Sequence, residues 1–287
     1  MITIIYNAQH IAIAQAQTFV HMSLLRVAAI NLRVGVDKRD TLSRAADLVA
    51  RAAADGARYV ALPECFVGKY GVEHFPAHAE DVAAEESGCG VLAAAARRHG
   101  ITTTGGIIEQ HDGKLWNSMP TFGPDGNLVT VYRKVHLSRV LGITSESDVL
   151  EAGDATTAYG VDDFHVGAAC CFDLRFPEWL RRYGPRGAQP ADVLCAPSAF
   201  LDVTGKPHWD LLLRRTALDG QCYVVAPNVA FDEADEVPLH GRSAVVDPWG
   251  DVLAQTRGDA DDIAIADVSR ARIDEVRRKL PLGSWPE

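Results

Sequence analysis

From Leu25 onward the chain alternates short apolar runs, bounded by Gly, Pro, Asn or Asp, with stretches in which apolar residues recur every three to four positions. The first pattern predicts buried strands and the second amphipathic helices, because side chains repeat every two residues along a strand and about every 3.6 along a helix. Leu25–Asn31 reads as a strand. Asp40–Ala54 reads as a helix, with Leu42, Ala45, Ala46 and Val49 on one face and Gly56 beyond its end. Arg58–Leu62 is a strand stopped by Pro63, Gly90–His99 a helix closed by Gly100, and the Thr-rich Ile101–Ile108 one further strand. Lys114–Phe122 and Asn127–Arg133 flank Gly123-Pro124-Asp125-Gly126, whose turn chemistry predicts an antiparallel hairpin.

The second half continues the alternation. Phe164–Cys170 is a strand, Pro177–Tyr183 a helix with proline in its first turn, Asp192–Ala196 a strand and His208–Leu218 a helix. Gln221–Pro227 and Ser243–Val246 are strands, and Asp247-Pro248-Trp249-Gly250 turns into Asp251–Gln255. A strand at Ile263–Val268 and a helix at Arg270–Leu280 follow. Such alternation predicts an α/β layer architecture. No linker or composition break follows residue 25, so residues 25–287 are expected to form a single domain. Mixed pairing, with strands in both halves, suggests two helix-covered sheets rather than one doubly wound sheet. Residues 1–25 contain no Asp, Glu, Lys or Arg and so lack the positive start of a secretory signal. Met22 directly precedes the first strand pattern. Residues 1–21 therefore read as an extension from an upstream start codon, and residues 1–24 are given no functional role.

At 287 residues, 47% hydrophobic and 23% charged, the chain is neither disordered nor fibrous. It carries 28 basic and 38 acidic residues, a net charge of -10, and its Lys and Arg are scattered. Neither a nucleic-acid nor an anionic-membrane partner is expected, and an anionic substrate would need a local positive group. No apolar run approaches the roughly 20 residues that span a bilayer. The cysteines at 65, 89, 170, 171, 195 and 222 lack metal-ligand spacing and read as reduced thiols of a cytoplasmic protein.

Three residues at strand ends carry candidate chemistry. Glu64 follows the strand 58–62, at the edge where α/β sheets place their ligands. Lys134 ends the strand 128–133 and is suited to holding an oxyanion. Cys171 enters a tight turn after the strand 164–170, where a helix N-terminus would lower its pKa. Alone, each has a plainer reading: a solvated acid, a surface lysine, a packing thiol. Strand alternation is expected to turn only one of Cys170 and Cys171 toward a site, leaving Cys170 in the packing. It also excludes a metal site made of that pair with His165.

Together, Leu62-Pro63-Glu64, Tyr132-Arg133-Lys134-Val135-His136-Leu137 and Cys171-Phe172-Asp173-Leu174-Arg175-Phe176-Pro177-Glu178 resemble, in order and spacing, the blocks of the carbon-nitrogen hydrolase (nitrilase) superfamily. Pro197-Ser198-Ala199-Phe200 and Gly241-Arg242-Ser243 extend the resemblance. Glu64-Cys65-Phe66 followed by Tyr70-Gly71 resembles the omega-amidases, whereas Gln221-Cys222-Tyr223-Val224-Val225-Ala226 is closer to the deaminated-glutathione amidases. The resemblance implies a four-layer α-β-β-α sandwich dimerising across a helical face, and a second active-site glutamate for which Glu146 fits. Departures lie in a shortened segment between Lys134 and Glu146, Ser138 and Ala196 where aromatics are frequent, and Lys206-Pro207.

The chemistry expected is amide hydrolysis through a thioester, without cofactor or metal. Glu64, its pKa raised by desolvation, would take the Cys171 proton. Lys134 and the backbone N–H of Phe172 would hold the oxyanion, and Glu146 would orient Lys134 or the substrate amide. Substrate contacts are expected from Tyr70, His136, Arg175 and Ser198. Arg175, four residues past Cys171, would pair with a substrate carboxylate, favouring a monoamide such as 2-oxoglutaramate. Its plainer reading is a brace paired with Asp173 or Glu178. Deaminated glutathione, N-carbamoyl amino acids and nitriles are alternative substrates, transfer to an acceptor other than water an alternative reaction, and a non-catalytic scaffold subunit an alternative of another class.

Overall fold

Leu24–Leu32 (β1) is buried on both of its faces. Leu25, Val27 and Ala29 point into one core while Ala28, Ile30 and Leu32 point into another. A strand apolar on both sides needs a layer on each side. The computed structural model describes residues 23–140, 142 and 144–284, and the extension expected at residues 1–21 lies outside them.

After β1, helix α1 (Lys38–Ala54) is opened by Asp37, whose carboxylate accepts from the backbone N–H groups of Arg39 and Asp40. Strand β2 (Tyr59–Ala61), the short helix α2 (Phe75–His78) and helix α3 (Gly88–His99) follow; Ser87 caps α3 and Gly100, at φ 64°, ends it. Next come β3 (Thr102–Thr104), β4 (Ile107–His111), β5 (Lys114–Phe122), β6 (Leu128–Arg133) and the two-residue strands β7 (Arg139–Val140) and β8 (Thr144–Ser145). The remainder runs β9 (Ala158–Val161), β10 (Phe164–Ala168), α4 (Pro177–Leu180), β11 (Val193–Cys195), α5 (Asp202–Gly220), β12 (Tyr223–Ala226), β13 (Asn228–Val229), β14 (Ala244–Val246), β15 (Val252–Gln255), β16 (Asp262–Ser269) and α6 (Arg270–Lys279).

One sheet has the order β13-β1-β2-β3-β5-β4, with β16 antiparallel on β1 and β6 antiparallel on β5. The other runs β15-β14-β12-β11-β10-β9, its central strands parallel and its flanks antiparallel. Between them lies a core built from Val27, Tyr59 and Ala61 of the first sheet and Tyr159, Val166, Val193 and Val225 of the second. The hydroxyls of Tyr59 and Tyr159 meet there at 2.8 Å. Ala45, Leu48 and Val49 of α1 and Leu92 and Ala96 of α3 cover the outer face of the first sheet. Trp209, Leu213 and Ala217 of α5 pack on the second. The fold is the expected α-β-β-α sandwich of two mixed sheets.

Three expectations are corrected. The run Ile101–Ile108 is two strands, because Gly105-Gly106 interrupt it. Helix α5 starts at Asp202 rather than His208 and carries Pro207 within it. Strand β10 ends at Ala168, before either thiol, so alternation does not extend to Cys170 and Cys171.

Candidate active site

Beyond β2 the chain leaves the sheet through Leu62-Pro63 and places Glu64 in the interior with no solvent exposure. The break between β3 and β4 makes this possible. A Cβ on Gly106 would lie 2.5 Å from the Cα of Glu64, so only glycine lets the two segments pass. Cys65 follows at φ 52°, a strained backbone for a residue with a side chain. Oε1 of Glu64 accepts from Nζ of Lys134 and Nδ2 of Asn117, both at 2.7 Å, and Oε2 accepts from the Ala199 backbone N–H at 2.6 Å. Burial by itself would raise the carboxyl pKa. The Lys134 charge and the donors on both oxygens outweigh it and hold Glu64 below its ordinary value. This corrects the raised value expected from desolvation and leaves Glu64 ionised, as a base must be.

Lys134, directly after β6, is equally buried and bridges two carboxylates. Its Nζ lies 2.7 Å from Glu64 and 2.9 Å from Oε2 of Glu146. Burial would lower the ammonium pKa, but Glu146 and Glu64 raise it well above its ordinary value, so the lysine stays charged. Glu146 also accepts from the Ser138 backbone N–H at 2.6 Å and from the Tyr70 hydroxyl at 3.1 Å. Burial and the Glu64 charge hold its carboxyl above the ordinary value against Lys134 and Ser138. Tyr70 therefore supports Glu146, with Ser138 Oγ 3.0 Å from its hydroxyl. In this structure the hydroxyl of Tyr70, a residue expected to contact substrate, is thus engaged within the site.

Cys171 opens a 3-10 turn, Cys171–Arg175, at φ 44°. Burial, then the Glu64 charge, push its thiol well above the ordinary value despite Lys134. The expected lowering by a helix N-terminus is thus overridden. The turn is tied to the Lys134 segment by Asp173, which is fully buried. Oδ2 of Asp173 accepts from the Tyr132 hydroxyl at 2.7 Å and the Cys170 N–H at 2.8 Å, and Oδ1 from the His136 N–H at 2.9 Å. Nδ1 of His136 lies 2.7 Å from the same Oδ1, and its ring stacks on Phe176 with centroids 3.7 Å apart. His136, expected to touch substrate, braces the turn in this structure.

Arg175 ends that turn half-buried. Among the described residues no carboxylate pairs with it, which corrects the brace with Asp173 or Glu178: Asp173 is occupied by the donors just named. Its Nε has no hydrogen-bond partner, and one terminal nitrogen lies 3.4 Å from Nδ1 of His208. The guanidinium sits over Phe200 and Phe172, 5.0 and 5.6 Å from their ring centroids. Ser198 is fully buried with its hydroxyl on the Ala196 carbonyl at 3.1 Å. The N–H of the next residue, Ala199, is the group that bonds Glu64.

Asn117 and Ala199 did not emerge from the sequence. An Asn inside an apolar strand such as β5 is a usable signal, since strands rarely carry it; a backbone N–H leaves none. Cys170, expected only in the packing, is indeed buried in the core but also touches the site. Its Sγ lies 3.3 Å from Oε1 of Glu64 and 3.7 Å from Oδ1 of Asn117, so this thiol also reaches the site carboxylate.

Comparison with known proteins places the chain among relatives of one family. The carbon-nitrogen hydrolase family model matches residues 24–278. The chain is 39% identical to the omega-amidase NIT2 of Mus musculus over 266 residues, covering 91% of this chain and 94% of that protein. It is 38% identical to the omega-amidase NIT2 of Homo sapiens over the same shares. Its structure is similar to Saccharomyces cerevisiae Nit3, a member of branch 10 of the nitrilase superfamily, with a TM-score of 0.80 and 31% identity, covering 90% of this chain and 95% of that one.

Proposed function

The chain belongs to the carbon-nitrogen hydrolase family, and from that premise we propose that it is a thiol amidohydrolase of small carboxylated amides. The substrate assigned is 2-oxoglutaramate, hydrolysed to 2-oxoglutarate and ammonia through a thioester on Cys171. The omega-amidase relatives support this, and so does the site.

Glu64 takes the Cys171 proton as the sulfur attacks the amide carbon. Negative charge develops on the amide oxygen, where Lys134 and the Phe172 N–H receive it. The N–H groups of Cys171 and Asp173 are already bonded to the carbonyls of Pro197 and Cys170, which makes Phe172 the backbone donor of the turn assigned to that task. A preorganised donor of this kind is worth about 10² to 10³ in turnover. Glu64 hands its proton to the departing ammonia, then draws one from the water that cleaves the thioester. Glu146 keeps Lys134 in place and does not transfer protons. A homodimer formed through the exposed face of α5, where Leu211 is 67% exposed, and a cytoplasmic setting for six free thiols complete the proposal.

The observation that carries the substrate class is Arg175. Burial lowers its pKa, and among the described residues no carboxylate pairs with it close to the nucleophile. A substrate carboxylate would supply the missing charge and meet the guanidinium in a bidentate geometry that lysine cannot reproduce. Ammonia release by Arg175→Lys tests this on 2-oxoglutaramate against a neutral amide of similar length. The expected loss in kcat/KM on the carboxylated substrate is roughly 10- to 150-fold, from about 1.5 to 3 kcal/mol for a charge-assisted bond, with the neutral amide spared. Equal losses on both substrates, with a lowered Tm, would make Arg175 structural.

A further inference from the structure

Amide hydrolysis needs one thiol at Glu64, and the structure supplies two. Cys170 has extended backbone, φ -133° and ψ 117°, and Cys171 a left-handed one, so the chain turns between them; the Sγ of Cys170 lies 3.3 Å from Glu64, and the charge of the same carboxylate acts on the Cys171 thiol. Cys170 is 1% exposed and Cys171 6%. A small reagent arriving where the amide would sit therefore meets Cys171 first, with Cys170 behind it. The base that prepares Cys171 for an amide carbon prepares it equally for a peroxide oxygen.

We propose that Cys170 and Cys171 form an oxidative modification site, at which a hydroperoxide converts the two thiols into a disulfide between adjacent residues. Cys171, deprotonated by Glu64, attacks the peroxide, forming an S–O bond as the O–O bond breaks; the departing oxygen takes the proton and leaves as an alcohol or water. The product is a sulfenic acid. Cys170 then gives its proton to Glu64 and attacks that sulfur. The S–O bond breaks as the S–S bond forms, and hydroxide leaves as water with the proton from Glu64. Two thiols and one hydroperoxide become one disulfide, water and the reduced peroxide. Without Cys170 the sulfenic acid would proceed to the irreversible sulfinic form. Because one peptide bond holds the two Cα atoms about 3.8 Å apart, below the usual span of a disulfide, small thiols should reopen the bond readily. The site thus stores the nucleophile in a recoverable form.

Mass rather than turnover reads this out, so it is decided separately from the substrate. Trypsin releases Val140–Arg175, a peptide holding Cys170 and Cys171 and no other cysteine. After hydrogen peroxide and alkylation, this peptide from the full chain should weigh about 2 Da less than its dithiol form, and dithiothreitol should restore both alkylation and most of the starting activity. Cys170→Ala and Cys170→Ser should instead gain about 32 Da on Cys171 and recover little of their own untreated activity. The proposal is overturned if the natural chain gains oxygen as the variants do, if its disulfide maps to Cys65 or another cysteine, or if the variants recover equally. Should neither variant fold, the peptide map of the natural chain alone decides.

Discussion

Asp173→Asn tests whether the nucleophile turn and the oxyanion lysine are held in register by one buried carboxylate. In the native chain that carboxylate receives the Tyr132 hydroxyl, the His136 N–H and the Cys170 N–H at 2.7 to 2.9 Å, and the His136 ring nitrogen at 2.7 Å. An amide of the same shape presents one oxygen, so the donors on its other atom face an N–H group. The two donors that lose an acceptor cost about 1 to 3 kcal/mol each, and those that keep one weaken as the charge disappears. Removing a buried charge offsets part of this, leaving a net loss of roughly 3 to 5 kcal/mol. For a domain of this size Tm should fall on the order of 10 °C. Tyr132 and His136 flank Lys134 at two residues on either side, so its ammonium should move relative to Cys171 as well. A displacement near 1 Å costs about 10²-fold in turnover. Urea unfolding and kcat, measured on Asp173→Asn, Tyr132→Phe and the double variant, provide the assay. Asp173 and Tyr132 should be coupled by about 1 kcal/mol or more in the cycle. A stability change below about 1 kcal/mol with turnover intact would refute the tie.

Further outcomes follow from the geometry around Glu64. Its depressed pKa puts the acid limb of kcat/KM below the ordinary value of 4.5, and a pH profile placing that limb above 6 would contradict the ion pair with Lys134. The same pair contributes stability that is present above the ordinary carboxylate value and is lost as pH falls through the folded one, which acid unfolding of Glu64→Gln against the natural chain will show. Gly106→Ala, placing a Cβ 2.5 Å from the Glu64 Cα, should cost about 1 to 3 kcal/mol and depress kcat while leaving circular dichroism unchanged; a fully active variant would mean that the close approach does not position Glu64.

Legibility in the sequence followed the range of the interactions involved. Glu64, Lys134 and Cys171 could be read because each sits just after an apolar run with a clear stop, and a strand end is a local feature. Gly105-Gly106 carried a signal of close backbone approach that the Thr-rich run around it concealed. The two-residue strand β13 and the short helix α2 are fixed by neighbours far along the chain, which no local period reports. Helix α5 starts at Asp202 because tertiary packing overrides the break that Pro207 suggests. Glu146 was reached by resemblance alone, for nothing near it marks a buried acid. Asn117 and the Ala199 N–H join the site through pairing between remote strands. The separation of Cys170 from Cys171 failed for a definite reason: alternation was carried through two residues that had already left the strand.

The most direct test of the thioester mechanism is rapid acid quenching of the enzyme with 2-oxoglutaramate, followed by mass analysis of the peptide Val140–Arg175. An acyl group on Cys171 that forms within one turnover, decays as 2-oxoglutarate appears and is absent from Cys171→Ala is the predicted result. Acylation of Cys170, or product release by Cys171→Ala at the natural rate, would contradict it.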